Sequence, residues 1–114
     1  MYAIHDAPVF QLVFDILKDY HILHGKFTKT EKYTLGAKIE DALLSMLLHI
    51  IEAGHAKKEW KLSPLENALS KTELTKILMR LAFELKLLHE KQYLDLQERL
   101  QRTAQMLGGW RRSI

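Results

Sequence analysis

Leucines recur at positions 74, 78, 81, 85 and 88, in alternating steps of four and three, the spacing that holds side chains on one side of an α-helix. Residues 74–88 (LTKILMRLAFELKLL) therefore predict a helix with a coiled-coil-like seam formed by Leu74, Leu78, Leu81, Leu85 and Leu88. At roughly 100° per residue, Lys76 and Arg80 fall away from that seam and share the opposite face with Phe83 and Leu87. Met79, Phe83 and Leu87 outside the seam imply a second partner surface, with two cations four residues apart inside it. An ordinary buried helix whose two cations reach out to solvent produces the same pattern.

The rest of the chain supplies three more stripes of the same period. Asp6 is placed to cap a helix with Pro8 in its first turn, and Val9, Leu12, Val13, Ile16, Leu17 and Tyr20 mark its buried side up to Gly25. Thr28-Lys29-Thr30-Glu31 has capping-box spacing and predicts the start of a second helix, with Thr34 as an alternative cap that shortens it. Its stripe is Leu35, Ile39, Leu43, Met46 with Leu47, Ile50 and Ala53, and Gly54 marks a stop or a frayed end. Gly36 in its first turns costs roughly 1 kcal/mol against alanine, so close approach by a neighbour is expected there.

Residues 57–62 read as a connection, because Ser63-Pro64-Leu65-Glu66 is a second capping box with proline at the first helical position. A third helix is expected over 64–88, roughly 37 Å long at 1.5 Å per residue. The boundary at His89 and Glu90 has neither glycine nor proline and is weakly marked. Tyr93, Leu96, Leu100, Thr103, Ala104, Leu107 and Trp110 form the fourth stripe. No stretch alternates with period two. Four amphipathic helices with short connections predict an all-α, up-down-up-down antiparallel four-helix bundle forming one domain over residues 1–114.

Composition narrows the class. With 47% hydrophobic and 27% charged residues, 5 glycines and 2 prolines, the chain has the balance of a soluble globular protein with few extended loops. The absence of cysteine excludes thiolate and disulfide chemistry. Residues 1–6 lack a signal-peptide pattern and no apolar run approaches the roughly 18 residues of a membrane span, so a cytoplasmic protein with no membrane contact is expected. The net charge of +3 is small but unevenly distributed. Arg99, Arg102, Arg111 and Arg112 follow one another with no acid from residue 99 onward, and residues 26–38 carry four lysines against Glu31. Such clusters suit phosphate contact, and they also suit solvated helix ends, where arginine complements the dipole.

Catalytic patterns are missing. A di-iron site in a bundle needs two inward Glu-x-x-His pairs and two further glutamates, whereas the chain has one pair, Glu52-Ala53-Gly54-His55, at a helix end. His21 and His24 share a helix face but make an incomplete metal site, and exposed histidines are the simpler reading. The glycine doublet Gly108-Gly109 follows no strand and fits no phosphate or dinucleotide loop. No metal, cofactor or catalytic residue is expected. Gly108 and Gly109 either allow tight packing beside Trp110 or fray the helix; Trp110 reads as a core or interface anchor, Trp60 as the exposed aromatic, and Tyr33 and Tyr93 as packing residues.

Tyr33-Thr34-Leu35-Gly36, the run IEDALL at 39–44, LAFELKLL at 81–88, Lys91-Gln92-Tyr93 and Met106-Leu107-Gly108-Gly109-Trp110 occur in an order that resembles the accessory variability determinant (Avd) proteins of diversity-generating retroelements. A more distant similarity is to the four-helix-bundle proteins of intervening sequences in 23S ribosomal RNA genes, which would imply a structural bundle with no retroelement role. The first resemblance implies a non-enzymatic, ring-forming homopentamer that binds the retroelement reverse transcriptase and nucleic acid, RNA and also DNA, in support of mutagenic cDNA synthesis and retrohoming. It also implies that Lys76 and Arg80, matching a basic pair on the third helix of that family, carry the contact, while Lys86, Arg99, Arg102, Arg111 and Arg112 are added for their charge. Phe83, Leu87, Gly108, Gly109 and Trp110 are expected in packing or in the oligomer interface. Glu40 and Asp41 are expected to pair with cations of an adjacent subunit. The chain departs from the pattern at Phe27-Thr28-Lys29, where a proline is expected after the aromatic.

Overall fold

The computed structural model describes residues 3–114. A 3-10 turn (Ile4–Asp6) precedes α1 (Pro8–His24), α2 (Lys29–Tyr33) and α3 (Leu35–His55); a second 3-10 turn (Lys58–Trp60) leads into α4 (Leu62–Glu84) and α5 (Glu90–Arg112). The four long helices α1, α3, α4 and α5 form an all-helical bundle of 44 × 22 × 21 Å, α4 lying between α3 and α5 and α1 between α3 and α5 on the other side. Among the described residues there is no strand, and no helix is long and apolar enough to cross a membrane.

Three of the four stripes turn inward as read from the sequence. Val13, Ile16 and Tyr20 of α1, Ile39, Leu43, Met46 and Ile50 of α3, and Leu96, Leu100 and Leu107 of α5 are fully or almost fully buried in one continuous core. The stripe on α4 does not. Its buried residues are Leu65, Ala68, Thr72, Thr75, Met79 and Ala82, while of the predicted seam Leu74, Leu81 and Leu85 are 40%, 45% and 50% exposed, Leu78 is half-buried against the core, and Leu88, past the helix end, is buried. Leucine spacing identifies side chains that share a face, but not the direction in which that face points. Here the small residues point inward, which lets α4 lie close to the bulky stripe of α3. The two inward threonines satisfy their hydroxyls on their own helix, Thr72 donating to Ala68 O at 2.8 Å and Thr75 to Lys71 O at 2.7 Å. They are thus buried without an unpaired polar group.

The helix ends depart from their sequence signals in several places. Asp6 lies in the 3-10 turn and Ala7 is the N-cap of α1, with Pro8 at the first helical position. Lys29–Tyr33 form the separate short helix α2, after which Thr34 (φ −115°, ψ −97°) is the N-cap of α3; neither Thr28 nor Thr34 makes a side-chain cap. Thr34 Oγ1 instead donates back to Thr30 O and Glu31 Oε1. α4 begins at Leu62, ahead of the Ser63 box, and Pro64 sits in the first turn, where its missing N–H costs nothing.

α4 also stops at Glu84, four residues short of the predicted end. Leu87 N–H donates to Ala82 O and Lys86 N–H to Phe83 O, both at 2.9 Å, the two bonds of a Schellman ending, with Lys86 in the left-handed region at φ 64°. A lysine there hides a stop signal that glycine would have announced. Lys86→Gly should therefore raise stability by about 1 kcal/mol, read as a higher urea midpoint; an unchanged or lower midpoint would show that the lysine side chain contributes more than its backbone costs. α5 starts with a capping box between His89 and Gln92, His89 N–H donating to Gln92 Oε1 at 2.9 Å.

Candidate nucleic-acid and partner interface

The two cations expected to lead the interface occupy different surroundings. Lys76 faces α5: its Nζ donates to Gln101 Oε1 at 2.8 Å, and Gln97 Nε2 donates to its backbone carbonyl at 2.8 Å. Phe83, on the same side of α4, stacks on Tyr93 of α5 with ring centroids 4.5 Å apart, and Leu87 packs against the core. The second partner surface inferred for this face is therefore met, within the chain, by α5. Arg80 is exposed and bonds Glu84 at 2.7 Å through Nε, a carboxylate that raises the guanidinium pKa above its ordinary value. Exposed pairs of this kind are weak in water, so the guanidinium can exchange Glu84 for another anion at little cost.

The α5 arginines are less free than an acid-free stretch suggests, because their partners lie upstream on the helix or on other helices. Arg99 is largely buried and bridges Asp19 of α1 at 2.9 Å and Asp95 at 2.8 Å, which makes it a clamp between α1 and α5. Its Nε is buried without an acceptor. Arg102 pairs with Glu98 at 3.2 Å, and Arg111 approaches Glu66 of α4 at 4.0 Å. Arg112 and Lys86 are exposed and form no ion pair among the described residues. The Arg112 guanidinium folds back over Gly108 and Gly109, where an added Cβ would lie 3.4 and 3.8 Å from its nitrogens. These are ordinary contacts, so packing within the chain does not require the two glycines. Trp110 is half-buried against the core with Lys61 Nζ 5.9 Å from its ring centroid, and it lines an apolar cavity of about 850 Å³ with Ile4, Val9, Gly54 and Met106.

Glu40 is held inside its own chain. His21 Nδ1 and His24 Nδ1 lie 2.9 and 3.0 Å from Glu40 Oε1, and His24 Nε2 lies 2.6 Å from the Lys32 carbonyl oxygen. Burial pushes the Glu40 pKa up, but the two histidine hydrogen bonds and their positive charge prevail and hold it below the ordinary value. Tyr20 donates to Gly36 O at 2.9 Å, and burial, with the Glu40 charge second, keeps its hydroxyl protonated well above the usual range. The reading of His24 as an exposed histidine is thus corrected, as is Glu40 as a residue left for an adjacent subunit; Asp41 does remain exposed. Sequence reading also misplaced Tyr33, which is exposed. Glu52 bonds His49 at 2.7 Å, and among the described residues no group of three or more His, Asp or Glu side chains is placed to hold a metal ion.

What the sequence missed is the outer face of α4. Leu74, Ile77, Leu81 and Leu85 fall within about 80° of one another at helical spacing and are all exposed, with Arg80 and Glu84 beside them. A second exposed apolar group, Phe14 and Ile22 of α1 with Leu44 of α3, lines a groove on the side of the bundle away from α4. Monomeric surfaces rarely carry such stripes without use.

Comparison with known proteins gives one finding: the model of a family described as bAvd-like matches residues 9–114. No curated protein and no solved structure matches.

Proposed function

Because the chain belongs to the bAvd-like family, and so to a group with an accessory role in diversity-generating retroelements, we propose that it is a non-catalytic cytoplasmic partner of the retroelement reverse transcriptase. It assembles with copies of itself into a ring, taken as a pentamer, and associates with template RNA and cDNA. The observation that carries this reading is the outward stripe of Leu74, Ile77, Leu81 and Leu85, an apolar face that the chain's own core leaves uncovered. Burying each such side chain against a neighbour is worth roughly 1.5–3 kcal/mol, enough for a repeated interface to hold. A ring also multiplies a charge of +3 by its copy number, turning a weak basic surface into one that tracks phosphates with a steep salt dependence. Arg80 borders this face and Lys76 lies on the α5 side of the same helix; the two are the contacts proposed for the polymerase or RNA.

Light scattering on nuclease-treated protein at low and high salt tests the assembly. A mass near five chains at both salts is expected, and Ile77→Asp with Leu81→Asp should reduce it to one chain while leaving helical content unchanged. A wild-type monomer at both salts would overturn the ring. Co-purification with the reverse transcriptase and its template RNA tests the partner, with Lys76→Ala and Arg80→Ala expected to weaken it; full retention by the double variant would remove those residues from the contact.

A further inference from the structure

The bundle end where the α3–α4 connection meets the last turn of α5 presents an indole among cations, and we propose that it binds single-stranded nucleic acid by stacking a base on Trp60. This rests on the nucleic-acid part of the reading above and adds a site and a ligand class to it. Trp60 is 69% exposed and has no packing role in the core. The backbone that carries it is nevertheless fixed. Trp60 N–H donates to Lys57 O at 2.8 Å, Lys61 N–H to Lys58 O at 3.3 Å, and Lys61 Nζ reaches back to Ala53 O at the end of α3 at 2.6 Å. The indole therefore stands on a closed 3-10 turn, so the backbone beneath it need not be ordered on binding.

Charge around the ring favours phosphate. Lys57 and Lys58, in the same turn, are exposed and form no ion pair among the described residues. Across a groove of about 440 Å³ lined by Lys58, Glu59, Leu62, Arg111 and Ile114 lies the end of α5, with Arg112 beside it. The carboxylates present are Glu59, Glu66 near Arg111, and Glu52, which is bonded to His49. Lys57 and Lys58 precede the indole in the turn and Arg111 lies across the groove from Lys58, while Trp60 itself lines a neighbouring pocket with Glu52, Ser63 and Asn67, so a strand crossing the turn meets phosphate-binding charge next to a stacking face. A duplex hides its base faces in its own stack and offers Trp60 nothing comparable. Since every base has such a face, little sequence preference is expected.

Fluorescence anisotropy with labelled oligothymidylate, and with a duplex of equal length, tests this on the nuclease-treated full chain between about 50 and 200 mM salt. The single strand should bind more tightly than the duplex. Trp60→Ala should weaken single-strand binding roughly 5–100-fold, while Trp60→Phe, which keeps a stacking ring, retains most of it. Lys57→Ala with Lys58→Ala should weaken binding and flatten its salt dependence. Oligothymidylate should also quench the tryptophan emission of the wild type but not that of Trp60→Phe. If the wild type binds and Trp60→Ala binds equally well, the platform is wrong and the proposed function stands. If the wild type binds neither oligonucleotide, both fail together. Loss of polymerase co-purification by Trp60→Ala with oligonucleotide binding unchanged would overturn the proposal in favour of a protein contact.

Discussion

Truncating Met79 to alanine should cost about 2–5 kcal/mol, whereas Leu81→Ala, two residues further along the same helix, should change the intrinsic stability of the folded chain by no more than about 0.5 kcal/mol. Met79 is fully buried on the inner face of α4, beside Thr75, which itself lies against Met46 with its hydroxyl 3.4 Å from the sulfur. Removing the thioether leaves a void between α4 and its neighbours that a close-packed core cannot fully collapse to fill. Leu81 faces outward, so its loss exposes nothing inside the chain. The two effects also differ in their concentration dependence. The Met79 loss is the same at any protein concentration, while a Leu81 loss should appear only through weaker assembly and therefore shrink on dilution. Denaturant titrations at two protein concentrations separate them. The opposite ranking would restore a leucine seam facing the core.

That contrast shows what the sequence could and could not say. On α1, α3 and α5 the stripe picked out by hydrophobic period is the buried one, even on α3, where Leu44 and Leu48 of a second apolar stripe remain exposed. α4 carries two faces, one rich in leucine and one of Ala68, Thr72, Thr75, Met79 and Ala82, and the more hydrophobic of them points outward. Period identifies both faces; only the shape of the neighbours decides between them. Charge behaved similarly. Arg99 reads as a free cation in an acid-free stretch, yet its partner Asp19 lies eighty residues earlier, on α1. Local signals did carry through where one helix turn contains the whole cause, as with Pro8 at the start of α1 and Gly25 after its end; the close approach expected at Gly36 also holds, although its neighbour, His24, lies on α1.

Gly36 is where the second large effect is expected. An alanine Cβ there would run into His24 Cδ2 and lie 2.6 Å from its Nε2 and 3.0 Å from the Glu31 carbonyl oxygen. The His24 ring has little room to yield: it stacks on Tyr20 at 5.6 Å, meets Phe27 edge-on at 5.7 Å, and bonds Glu40 and the Lys32 carbonyl through its two nitrogens. Gly36→Ala should therefore cost about 1–3 kcal/mol by displacing the ring and loosening both bonds. Acid titration gives a second readout with a definite sign. Glu40 has a folded pKa below its ordinary value of 4.5, so its contribution to stability is complete above about pH 4.5 and is lost as pH falls through the lowered folded value. Glu40→Gln should lower stability at pH 7 and remove that part of the acid limb. In Gly36→Ala, Glu40 keeps exposed His21 but loses the more buried His24, so the acid limb should become shallower without vanishing. Urea midpoints at pH 7 and from pH 5 down to pH 3 measure both quantities. A Gly36→Ala protein with a wild-type acid limb would mean that His24 stays on Glu40 and that the backbone at Gly36 moves instead, which would place the strain on the Tyr20 hydrogen bond to Gly36 O.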